Sequence, residues 1–133
     1  MIQYQTGRKL SVEEFIDVLN RSTLGERRPV NDRERMEQML TAAQILVTAW
    51  EGEVLIGVSR ALSDFSFCTY LADLAVDERY QHQGIGRTLL ELTHEVAGLQ
   101  TSLILLAAPK AVDYYPKIGM KRSEVCFLKD RIH

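Results

Sequence analysis

The stretch from Leu71 to Thr93, LADLAVDERYQHQGIGRTLLELT, limits the possible folds of this chain more than any other. An apolar segment runs into a polar turn, the turn holds the pair Gly84-x-Gly86, and an amphipathic segment carrying Leu89, Leu90, Leu92 and Val96 follows. That order reads as strand, turn, helix. The two glycines let the backbone approach a ligand closely. The unpaired N–H groups of the first helical turn and the helix dipole together favour an anion such as phosphate. Arg87 adds a full positive charge beside them.

Spacing narrows the possibilities. A dinucleotide fingerprint requires Gly-x-Gly-x-x-Gly, and Leu89 stands where the third glycine belongs. A Walker A loop requires a lysine before Ser/Thr and a glycine six residues ahead of it; here Arg87 precedes Thr88 and Gln81 holds the glycine position. What remains is Gln81-x-x-Gly84-x-Gly86, which fits either a phosphate turn of another kind or a helix that begins with glycine for packing alone.

The rest of the chain supplies the frame. Ile2 to Thr6 alternates as a short strand. Ser11 and Glu14 form a capping box ahead of Val12, Phe15, Ile16 and Leu19, which predicts a helix over Val12 to Asn20. A polar loop with Gly25 and Pro29 follows, and Asn31 or Asp32 caps a second helix bearing Met36, Met39 and Leu40. Ile45 to Trp50 and Val54 to Leu62 flank the turn Glu51-Gly52-Glu53 and predict a hairpin apolar on both faces, with Gly57 marking a bulge or a close backbone approach. Thr69 to Val76 enters the central stretch, and Gly98 ends its helix. Ser102 to Ala108 reads as a strand buried on both faces, Ala111 to Ile118 as one or two helical turns interrupted by Pro116, and Met120 to Lys129 as a last strand. The expectation is an α+β domain: a mixed, mostly antiparallel twisted sheet with helices on both faces.

Composition excludes several classes. A chain of 133 residues, 46% hydrophobic and 26% charged, is a normal length and balance for one domain with its own core over residues 1–133. The formal net charge of -2 gives no general attraction to nucleic acid or an anionic membrane. The start MIQYQTGRKL has no apolar signal core, and a cytoplasmic setting is expected. Cys68 and Cys126 lack metal or disulfide spacing and sit among apolar sequence neighbours, so they are expected as buried free thiols; no metal site is expected.

LADLAVDERYQHQGIGRTLL resembles the acetyl-CoA-binding motif of the GNAT superfamily of N-acetyltransferases. Ala111, Tyr114, Tyr115, Gly119 and Met120 are similar to that family's second motif, Ala-x-x-Phe-Tyr-x-x-x-Gly-Phe. The resemblance implies acetyl-CoA as acyl donor, an amine acceptor, no metal, and direct attack of the amine on the thioester in a ternary complex. It implies that Leu74, Ala75 and Val76 pair with the pantetheine arm, that the N–H of Val76 polarises the thioester carbonyl, and that Gln81, His82, Gln83, Gly84, Ile85, Gly86, Arg87 and Thr88 hold the pyrophosphate. Lys117 can reach a nucleotide phosphate or face solvent, as can Lys110. Tyr115 matches the family's tyrosine and is the expected general acid, with packing on the pantetheine as the alternative role. Asp73, a carboxylate in an apolar strand, is the candidate general base or a structural bridge. His82 and His94 read as surface residues. Two departures from the family stand out: Pro109 where relatives carry Asn, and Pro116 inside the second motif. A catalytically idle acyl-CoA-binding module is the alternative function; the oligomeric state stays open, a homodimer being common in the family. The loop Ser22 to Val30, with Glu26, Arg27 and Arg28, is where acceptor choice is expected to lie.

Overall fold

The computed structural model describes residues 1–132. Its elements are β1 (Ile2–Gln5), α1 (Val12–Arg21), α2 (Arg33–Ala42), β2 (Ile45–Glu51), β3 (Val54–Ser63), β4 (Cys68–Val76), α3 (Ile85–Ala97), β5 (Ser102–Leu105) and α4 (Tyr114–Lys117). The five strands form one sheet in chain order, antiparallel except for the parallel pair β4/β5.

The helices begin and end where their chemistry dictates. Ser11 accepts from the N–H of Glu14 while Glu14 accepts from the N–H of Ser11, closing both ends of the capping box of α1. Asp32 caps α2 by accepting from the N–H of Arg35. Gly98 ends α3 at φ 104°.

Two apolar layers sandwich the sheet. Phe15, Val18 and Leu19 of α1 and Met36 of α2 pack with Trp50, Leu55, Val58 and Ala75 on one face. Ile85, Leu89 and Ala97 of α3 pack with Ile45, Val47, Ala49, Ile56 and Ala61 on the other. The helices therefore do cover both faces. Gly57 explains how α3 comes so near: a β-carbon there would lie 3.0 Å from Leu89 Cδ1 and 3.3 Å from the Ala75 carbonyl oxygen. The bulge sits beside it, with Ile56 skipped between the pairs Trp50↔Leu55 and Ala49↔Gly57.

Four expectations need correction. Cys68 and Cys126 are both exposed; apolar sequence neighbours do not say whether a strand end lies beneath a helix, and Cys68 opens β4 beyond any cover. β5 is shorter than expected, and Ile104 and Leu106 are about half exposed, because no element covers one of its faces. The second helical piece divides into a 3-10 turn, Pro109–Ala111, and α4. Pro109 and Pro116 each fall in a first turn, where a missing N–H costs nothing. Residues 120–132 form neither helix nor strand among the described residues, and Val125, Phe127, Leu128 and Ile132 are 69–93% exposed. Alternation marks a segment able to pair but does not supply a partner, and β5 pairs only with β4.

Candidate active site

The site begins where the two central strands part. The β4/β5 pairing ends at Leu71↔Leu105, yet β4 continues to Val76. Along that remainder β4 bonds only to β3. The N–H of Asp77 donates to Ile56 O across the β3 side at 2.8 Å. Strand alternation then turns the N–H groups of Val76 and Leu74 the other way, into the wedge. The carbonyl of Val76 lies on that side too and accepts from Gln81 Nε2 at 3.0 Å. The N–H of Val76 is thus an oriented donor at the mouth of the wedge.

Asp77 anchors the next turn. Its carboxylate accepts from the backbone N–H and the guanidinium of Arg79, and from Arg21 Nη1 at 2.5 Å. The Arg79 hydrogen bond, working against desolvation, holds its carboxyl well below the usual carboxylate range, with the Arg79 backbone N–H and Arg21 contributing further. The turn that follows contains two residues at positive φ, His82 at 66° and Gly84 at 81°. Gly84 is the N-cap of α3 and has no side chain to cap with, so the first-turn N–H groups have no side-chain cap. Arg87 pairs with Glu91 at 2.9 Å and is exposed, and Thr88 donates to Gly84 O at 3.0 Å.

Tyr114 closes the site from above. Its hydroxyl lies 3.2 Å from where a β-carbon on Gly86 would sit, a tight contact that a side chain there would keep only by moving Tyr114 a few tenths of an ångström. Tyr115 stands edge-on to Tyr114 with ring centroids 5.2 Å apart. Burial pushes both phenols above the ordinary tyrosine value, and Tyr114 adds to the rise at Tyr115. Tyr115 therefore keeps its proton through the neutral range. Lys110 and Lys117 are exposed.

Asp73 lies 1% exposed on the α1/α2 face of the sheet. Arg28 Nε donates to its Oδ1 at 2.6 Å and Arg60 Nε to its Oδ2 at 2.5 Å. Both oxygens are occupied. The register explains which side chains join it. Ala72 is skipped between Arg60↔Asp73 and Ala61↔Leu71, so it is a bulge. Tyr70 pairs with Leu62, two residues from Arg60, which puts Tyr70 on the same face as Asp73; a regular strand would have opposed them. The arginine partners were missed from sequence, although Arg60 inside the apolar run VLIGVSRAL was a signal, since a charge there demands an opposite one. His94 is not a plain surface residue: its Nε2 lies 2.8 Å from Thr101 O. A separate cavity of about 420 Å³, lined in part by Arg8, Glu37 and Gln44, shares no residue with this site.

The Acetyltransferase (GNAT) domain model matches residues 11–133. GCN5-related N-acetyltransferase 2, chloroplastic, from Arabidopsis thaliana is 34% identical over 73 residues, 50% of this chain and 27% of that protein. The chain thus matches only about a quarter of the length of that curated relative. A probable acetyltransferase from meticillin-resistant Staphylococcus aureus has the same fold, with a TM-score of 0.81 at 22% identity over 100% of this chain and 99% of that one. An aminoglycoside N-acetyltransferase in complex with CoA superposes with a TM-score of 0.75 at 14% identity, over 100% and 96%.

Proposed function

Since this chain belongs to the GNAT acetyltransferase family, we propose that it moves an acetyl group from acetyl-CoA to a primary amine of a small molecule or peptide, by direct attack in a ternary complex. One observation carries the reading: the glycine turn and the Tyr114–Tyr115 segment meet at Gly86, at the end of β4 that β5 leaves unpaired. The tyrosine segment lies far in sequence from the other two, which follow one another directly. Together they suit a ligand with a strand-like arm at one end and phosphates at the other.

On this reading the backbone of Leu74, Ala75 and Val76 binds the pantetheine arm as a missing strand would. The N–H of Val76 stabilises the oxyanion that develops at the thioester carbonyl. The turn from Gln81 to Thr88 holds the pyrophosphate through backbone N–H groups, with Arg87 and Lys117 contributing charge. Tyr115 gives its proton to the departing thiolate, whose thiol pKa is about 8.5 on the cysteine scale. Asp73 is the weaker part of the earlier expectation: its side chain is fully buried and each oxygen is held by a guanidinium group, so an amine has no approach to it. We assign the amine's proton to water at the wedge and give Asp73 a structural role.

The test uses purified protein, acetyl-CoA and a panel of primary amines, read by free-thiol release. Amine-dependent release is the expected result. Tight acetyl-CoA binding with no release on any amine would establish the alternative, an idle acyl-CoA-binding module, which the Pro109 departure and the engaged Asp73 favour.

We also propose a second copy of this chain as a partner. Its motivation is the free edge of β5 together with the exposed Val125, Phe127, Leu128 and Ile132. Sedimentation velocity should give a dimer that Phe127→Ser shifts toward monomer; a monomer at all concentrations rejects it.

A further inference from the structure

Arg28 reaches from the loop between α1 and α2 to the one irregular point of β4. Its Nε holds Asp73 Oδ1, and its Nη2 donates at 2.9 Å to the carbonyl of Ala72, the bulged residue itself. Its Nη1 turns back to the carbonyl of Arg27 at 2.9 Å, which fixes the loop's own backbone. On the far side of Asp73, Arg60 of β3 also donates to the carbonyl of Met39 in α2. One buried carboxylate thereby joins the 22–32 loop, α2, β3 and the bulge of β4. The wedge-facing residues Leu74 and Val76 begin two positions after that bulge. Bonds to Asp73 and to the Ala72 carbonyl give Arg28 a direct hold on the backbone that leads into them.

We infer that Arg28 is a positioning residue that couples the order of the 22–32 loop to occupancy of the β4 wedge. The inference rests on the donor reading proposed above. Binding free energies couple reciprocally, so a loop held by the wedge also holds the wedge. Lysine cannot replace this arginine fully: it carries the charge but lacks the planar fork that engages Asp73 and Ala72 O together. Donor binding sets the loop before an acceptor engages it.

Hydrogen–deuterium exchange with and without acetyl-CoA tests this without knowledge of the acceptor. In the wild type, acetyl-CoA should slow exchange at residues 81–88 and, by about tenfold, across 22–32, a coupling of ordinary size. Arg28→Ala should keep the protection at 81–88 and lose it across 22–32. Arg28→Lys should fall between and serves in its place if the alanine variant does not fold. Arg27→Ala, an exposed neighbour, should behave as wild type. Protection of 22–32 that survives in Arg28→Ala overturns the inference, as does wild-type protection confined to 81–88. Protection at neither segment sinks the donor reading and the latch with it, and that outcome is distinguishable from the other two by the behaviour of 81–88.

Discussion

Asp73→Ala is expected to lower the stability of the protein by about 3–5 kcal/mol, the cost of removing one partner from a buried ion pair. The loss falls mainly on Arg60, whose side chain is only 9% exposed; Arg28, at 23%, can turn outward. For a domain of this size the melting temperature should drop by about 10–20 °C. The companion variant Asp73→Leu with Arg60→Met should recover most of the loss, because a well-packed apolar pair costs no desolvation. Thermal unfolding of the three proteins decides the matter. A fall below about 1 kcal/mol for Asp73→Ala, the range of exposed pairs, would mean that water reaches the cluster.

Tyr115→Phe is expected to lower kcat by about 10²–10⁴-fold, the usual contribution of a positioned general acid, with little change in the KM for acetyl-CoA. The phenol is pushed above its ordinary value by burial and by Tyr114. The acid form is therefore complete at neutral pH, and loss of rate from its ionisation should begin only above about pH 10. The phenylalanine variant should lack that alkaline limb. Tyr114→Phe should change kcat far less, since its hydroxyl lies over Gly86 and its ring serves mainly as a wall for Tyr115. A Tyr115→Phe enzyme with wild-type kcat and a raised KM for acetyl-CoA would instead assign Tyr115 to packing on the donor.

Much of this site was legible in the chain itself. Gly84 and Gly86 mark a turn before a helix, and the structure has that turn, with Gly84 at 81° and Tyr114, not a ligand, against Gly86. The capping box at Ser11 and the hairpin around Gly52 are local in the same sense: their partners lie within a few residues. Misreadings came where the deciding partner was distant. The apolar run after Ser102 looked buried because its composition is, yet half-exposed Ile104 and Leu106 reflect the absence of a covering element. Asp73 stood open between base and structural bridge because its two arginines lie 45 and 13 positions away. Register adds a further non-local decision: the bulge at Ala72 sets Tyr70 on the same face as Asp73.

By itself, then, the sequence determined the strand–turn–helix unit from Leu71 to Thr93, the order of the elements as far as β5 and the α+β class. Those follow from backbone conformation and apolar period, which are short-range. Only the tertiary structure decided that β4 outruns β5 to leave Leu74 and Val76 unpaired on the β5 side, that Tyr114 lands on Gly86, and that Asp73 is spoken for by Arg28 and Arg60. These depend on register and on charge pairing across the sheet. A one-residue slip in register changes every neighbour while leaving the local pattern of the chain untouched.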